Sequence, residues 1–215
     1  MGKGKLFQDI KNPAVGGDKA KQKPSRRWRV GSLFIISGPS AGVGKATIID
    51  GVLADKDLNV AQCKTYTSRK PRGEASDEQY NFITPDKFEK AIAAREFLEY
   101  NFLDGNYYGT HKQTLYDLLE TGKNIILEIE VNGAMEVKSQ MPSCKTIFIY
   151  APIEDIEKRI RERGENTEEQ IEERLSIARQ ELTAKDRYDY QVLNPEGHPE
   201  EAISEVKNII RKNIR

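Results

Sequence analysis

The sequence has little cysteine, no long apolar run and no net charge. Only Cys63 and Cys144 are present, far apart, so neither a disulfide framework nor a cysteine-spaced metal cluster is available, and a reduced cytoplasmic setting fits. No apolar stretch approaches the length of a membrane span. Lys and Arg number 34, as do Asp and Glu, which disfavours a wholly basic nucleic-acid binder; no specific nucleic acid and no membrane is expected as a partner. The opening segment lacks the apolar region of a signal peptide. Met1-Gly2 opens like a myristoylation site, but Leu6 stands where Ser or Thr is required. No internal repeat is found. A chain of 215 residues can bury a substantial core, and one α/β domain with small insertions is the default.

The charge that is present is unevenly placed. Residues 1–30 hold nine Lys and Arg against Asp9 and Asp18, a balance of +7, so the remainder carries −7. This extension shows no helical periodicity and reads as a solvated, mobile tail rather than an arm contacting RNA or a sibling subunit.

The most informative stretch is Ser-Gly-Pro-Ser-Ala-Gly-Val-Gly-Lys-Ala-Thr at 37–47, between the apolar run Leu33-Phe34-Ile35-Ile36 and the amphipathic segment 48–53. Strand, glycine-rich turn ending in Gly-Lys, then helix is the context of a phosphate-binding P-loop. The glycines let backbone N–H groups curl around an anion, the helix N-terminus adds unpaired donors, and Lys45 supplies a point charge. Gly38, Pro39, Ser40, Ala41, Gly42, Val43, Gly44, Lys45, Ala46 and Thr47 are the candidate phosphate-binding residues. The spacing departs from the standard one, with five residues rather than four between Gly38 and Gly44. Either the loop carries one extra residue or Pro39 takes the first-glycine position. Ala46 follows the lysine, so the usual Mg²⁺-ligating hydroxyl is missing there, and Thr47 is the nearby substitute.

Further strands are read at 123–129, 145–150 and 190–193, from apolar runs bounded by turn residues. Helical spacing appears at 85–94 behind Thr84-Pro85, at Ile153, Ile156 and Ile160, at Ile171, Leu175 and Ala178, and from Ala202 to Ile210. Strands alternating with helices imply a mostly parallel sheet covered on both faces, with ligand at the carboxyl ends of the strands. Lys45, Glu128 and the segment after Tyr150 converge there. Residues 62–112, rich in Thr, Tyr, Asn and Gly, read as a small mixed-β insertion. The charged stretch 157–176 reads as two short helices about Gly164, forming an exposed flap.

The remaining motifs are Thr-Ser-Arg-Lys-Pro-Arg-Gly-Glu at 67–74, Tyr-Asn-Phe at 80–82, Glu-Phe-Leu-Glu-Tyr at 96–100 and Gly-Asn-Tyr-Tyr-Gly-Thr at 105–110. They continue with Leu-Glu-Ile-Glu-Val-Asn-Gly-Ala at 127–134, Lys-Arg-Ile-Arg-Glu-Arg-Gly at 158–164 and Glu-Arg-Leu at 173–175. Together with the P-loop, and in this order over roughly 32–213, they closely resemble the guanylate kinases. The resemblance implies a P-loop kinase core with a parallel five-stranded sheet flanked by helices (31–61, 114–156 and 177–215). To this it adds a mixed-β GMP-binding lobe (62–113) and a helical lid (157–176).

It also implies transfer of the ATP γ-phosphate to GMP, with Mg²⁺ bound alongside ATP, by a monomer or homodimer. By family position Arg69, Arg72, Tyr80 and Tyr108 would hold the GMP phosphate. Thr65, Glu99, Thr110 and Glu130 would hold guanine, with Glu128 on the same side. Lys45 and the loop would hold the ATP phosphates, Arg159, Arg163 and Arg174 would close over them, and Asn194 would lie near adenine. The chemistry agrees: guanine presents two adjacent donors that a carboxylate accepts, whereas adenine would set a lone pair against it.

Glu130 stands where the family has Asp, Asn132 where it has Gln, and the loop between Arg72 and Tyr80 is one residue short. The rival reading is a non-catalytic guanylate-kinase-like module that grips phosphorylated ligands. Retention of Lys45, Arg159, Arg163 and Arg174 favours the enzyme.

Overall fold

The computed structural model describes residues 30–73, 75–164 and 166–214. The basic extension read at 1–30 lies, apart from Val30, outside the described residues. In chain order the elements begin with β1 (Leu33–Ser37), α1 (Lys45–Leu53), β2 (Val60–Gln62), β3 (Thr65–Thr67), β4 (Tyr80–Phe82) and α2 (Pro85–Ala93). They continue with β5 (Phe97–Leu103), β6 (Asn106–His111), α3 (Lys112–Glu120), β7 (Asn124–Glu128) and α4 (Val131–Gln140). The last are β8 (Lys145–Tyr150), α5 (Ile153–Glu162), α6 (Glu168–Leu182), β9 (Tyr190–Leu193) and α7 (Pro199–Asn213).

Five parallel strands form the main sheet in the order β2-β7-β1-β8-β9. The central strands carry near-continuous apolar runs because both faces are covered. In β1, Phe34 and Ile36 join one core cluster with residues of α1, α5, α6 and α7, while Leu33 and Ile35 join a second with residues of α3 and α4. Ile126 and Ile149 follow the first pair, Leu127 and Phe148 the second. This period of two divides one apolar run between two cores. Each fully buried side chain of this kind stabilises the fold by about 1.5–3 kcal/mol.

The smaller sheet has the order β4-β3-β6-β5, with β3 parallel to β4 and the other pairs antiparallel. It is the mixed-β insertion expected from composition. Its helix α2 begins where Thr84 Oγ1 accepts from the Lys87 amide at 3.4 Å, with Pro85 in the first turn.

The charged stretch 157–176 differs from an exposed flap of two short helices. Helix α6 has 15 residues and a capping box between Thr167 and Gln170. Ile156 and Ile160 of α5 and Ile171, Leu175 and Ala178 of α6 are buried in the first core cluster. Only the outer faces are the solvated charge run, and Gly164, at φ +66°, turns between the helices. Among the described residues no helix is long and apolar enough to cross a membrane.

Candidate active site

The turn after β1 places Gly38 with φ +147° against β8, where a Cβ would lie 2.1 Å from the Ile149 carbonyl oxygen. The requirement for glycine therefore falls on Gly38, and Pro39 follows it. Ala41 and Val43 turn inward and are buried in the first core cluster, which is how the longer loop is accommodated. Gly44, left-handed at φ +75°, is the N-cap of α1, so Lys45 opens the helix. Lys45 Nζ donates to the Pro39 carbonyl at 2.7 Å and the Gly38 carbonyl at 3.3 Å, filling the loop with its ammonium. Burial lowers its pKa, opposed by Glu128 and Glu181. Within the loop, the Ser40 amide and hydroxyl donate to Glu181 Oε2 of α6 at 2.7 and 3.0 Å. Ala46 and Thr47 are exposed at the start of α1.

Beyond the loop lies an open cavity of about 400 Å³, lined by Gly42, Gly44, Thr47, Arg163, Asn194 and neighbours. Asn194 is buried and donates to the Val43 carbonyl at 2.8 Å, while its Oδ1 has no partner among the described residues. Arg159 also lines this cavity, but each of its three side-chain nitrogens already has a partner. Nε reaches Glu196 at 2.7 Å, and the terminal nitrogens reach the carbonyls of Gly42 at 3.2 Å and Asn194 at 3.0 Å. It braces the loop against the segment after β9. Arg163 is exposed at the cavity edge, whereas Arg174 is exposed on α6 and lines neither this cavity nor the next.

On the other side of Lys45 is a cavity of about 280 Å³ between the two sheets. Thr65, Tyr80, Glu99, Tyr108, Glu128 and Glu130 line it with Lys45. Six segments separated in sequence thus bring their expected residues to one space. Thr110 lies behind the wall, fully buried, and donates to Glu99 Oε1 at 2.6 Å. Glu99 Oε2 sits beside Gly133, where a Cβ would come within 2.8 Å of it. A side chain at 133 would displace the carboxylate. Burial pushes the Glu99 pKa up to about 7; the Thr110 hydrogen bond opposes the rise and Glu130 adds to it. Glu130 caps α4 by accepting from the Gly133 amide at 3.3 Å, and burial raises its pKa as well. Glu128 is raised by burial against the pull of Lys45.

The two arginines expected at the acceptor phosphate do not line this cavity. Arg69 pairs with Asp77 at 2.8 Å and lies over the rings of Tyr80 and Phe82, 5.1 and 5.4 Å from their centroids. Arg72 is exposed, and its amide, with that of Gly73, donates to the same Asp77 carboxylate. Burial raises the Asp77 pKa, but these bonds together hold it below the usual value. The sequence reading missed this clamp, along with Gln62, Gln79, Asn101 and Leu103 in the cavity wall. The last two had a signal: they alternate with Glu99 along β5.

Among the described residues no group of three or more His, Cys, Asp or Glu suits a metal ion. Mg²⁺ keeps waters and binds through substrate phosphates with one or two carboxylates. Glu128, which lines the cavity with Lys45, is the carboxylate that could meet a metal carried in on a nucleotide.

Comparison with known proteins points to one family. The sequence model of the guanylate kinase family matches residues 31–213. A guanylate kinase of Trichormus variabilis is 40% identical over 176 residues, 81% of this chain and 85% of that protein. One of Prochlorococcus marinus is 41% identical over 181 residues, covering 83% of this chain and 96% of its own length. The solved guanylate kinase of Anaplasma phagocytophilum superposes with a TM-score of 0.66 at 26% identity, over 86% of each chain. A parallel P-loop core, a mixed-β lobe and a shared cavity between them, together with a family match spanning most of its length, place this chain in the guanylate kinase family.

Proposed function

We propose that the chain transfers the γ-phosphate of ATP to GMP, giving ADP and GDP, with Mg²⁺ bound through the ATP phosphates. The observation that carries the reading is one cavity lined both by the P-loop lysine and by a buried carboxylate, Glu99.

Ionised Glu99 accepts from the guanine N1–H and N2 amino group through Oε2 and the free lone pair of Oε1, with Thr110 fixing its orientation. Glu130 and Thr65 complete the base end. Tyr80 and Tyr108 donate to the acceptor phosphate, joined by Arg69 and Arg72 once the loop on Asp77 opens inward. Lys45 exchanges its carbonyl partners for ATP phosphate oxygens, and the loop amides cradle the same groups. Arg163 and Arg174 approach as α5 and α6 close, while Arg159 keeps the loop braced and Asn194 lies on the nucleotide side.

Phosphoryl transfer needs alignment and positive charge more than covalent help. Mg²⁺ bound with ATP would supply neutralising charge at its phosphates, beside Lys45 and Glu128. No general base is needed, because a GMP phosphate oxygen is already a nucleophile. Closure excludes water and limits ATP hydrolysis.

The test is ADP formation by the purified chain with ATP, Mg²⁺ and GMP, against AMP and no-acceptor controls. GMP-dependent turnover is expected; equal turnover with AMP would remove Glu99 from base recognition.

A further inference from the structure

We propose that Asn101 reads the ribose of the acceptor nucleotide and sets a preference for GMP over its 2′-deoxy analogue; this rests on the reading of the cavity as the GMP site. Glu99, Asn101 and Leu103 all line that cavity, as the period of a strand requires. Across the β5–β6 pair Glu99 lies near Thr110, and Asn101 is opposite Tyr108. The two rows are about 7 Å apart along the strand. A nucleotide with its base edge on Glu99 and its phosphate at the phenols of Tyr80 and Tyr108 must lay its sugar between them. The long Tyr108 side chain reaches past the sugar to the phosphate. The short Asn101 amide reaches only what lies directly over the strand.

The amide is also oriented for this contact. Asn101 Oδ1 accepts from the Phe102 amide at 2.8 Å. That bond fixes the plane of the side chain and leaves Nδ2 with no hydrogen-bond partner among the described residues. A half-buried donor in the wall of a nucleotide cavity is matched by the oxygen of a ribose hydroxyl. The 2′-deoxy sugar offers no oxygen there, so it leaves the donor unpaired.

Calorimetric titration of GMP and dGMP into the full chain tests the assignment, using the natural protein, Asn101→Ala and Asn101→Leu. The natural protein is expected to bind GMP roughly three- to tenfold more tightly than dGMP, the worth of one uncharged hydrogen bond. Both variants should bring the two ligands to parity by weakening GMP alone. In steady state the same change should appear in the KM for GMP, with kcat unchanged. Retained dGMP binding shows that the variants fold. The assignment is overturned if the variants keep the natural ratio, if they lose both ligands together, or if the natural protein shows no preference. Failure of the natural protein to bind either nucleotide would instead sink the reading of the cavity itself, and the assignment with it.

Discussion

GMP affinity should depend on pH through Glu99. The carboxyl is 4% exposed and burial lifts its pKa to about 7. Only the ionised form accepts both guanine donors, so the binding-competent fraction falls as pH drops through that value. For a pKa near 7 the fraction goes from about ten elevenths at pH 8 to about one eleventh at pH 6, and the apparent affinity falls about tenfold. The second ionisation of a phosphate monoester, near pH 6, adds about a further factor of two. Glu99→Gln separates the two effects. It should bind GMP about 10- to 100-fold more weakly, having lost a charge-assisted acceptor, and should show only the shallow phosphate response.

Stability of the ligand-free protein should move the opposite way. A carboxyl with a raised folded pKa contributes stability that is fully present below its unfolded value and lost as pH rises through the folded one. Glu128 and Glu130 are raised too and share that sign. Between pH 5 and pH 8, then, Tm without ligand should fall while the increase caused by GMP should grow. Titrations at pH 6, 7 and 8 with a thermal scan at each decide the matter. An affinity that is flat or falls above pH 7, or a Glu99→Gln protein with the natural slope, refutes the argument.

Lys45→Ala should reduce turnover by 100-fold or more, on the order of what loss of one transition-state charge contact costs. GMP binding by calorimetry should change little, since in the proposed pose Lys45 faces the phosphates and makes no contact with the base. Arg163→Ala should lower kcat more than GMP affinity, because Arg163 is at the edge of the other cavity; the reverse pattern would put it on the acceptor side. Gly38→Ala should destabilise the fold by about 2 kcal/mol or more in denaturant titration, because its Cβ would overlap the Ile149 carbonyl. An unchanged midpoint would show that the loop is not seated against β8.

Much of the core was legible because its strands are buried on both faces. The runs at 33–37, 124–128 and 145–150 admit little else, and Gly38, Gly44 and Lys45 are tied to a strand–turn–helix context. Strand β2 has three half-buried residues at the sheet edge, too few to show a period. Helix α4 escaped because Asn132 and Gly133 interrupt its first turn, although Gly133 is what admits Glu99.

At the site, residue types were readable and their present partners were not. The Asp77 clamp on Arg69 depends on how a short loop closes, and the Glu196 contact of Arg159 joins residues 37 apart. Ser40 and Glu181 meet across 141 residues, a pairing no local pattern encodes.

The most direct test of phosphoryl transfer is to follow the label from γ-³²P-ATP in the presence of Mg²⁺ and GMP. The account predicts that the label appears in GDP, depends on GMP, and exceeds label released as inorganic phosphate. Label found only in inorganic phosphate, or none moved despite measurable GMP binding, would contradict it.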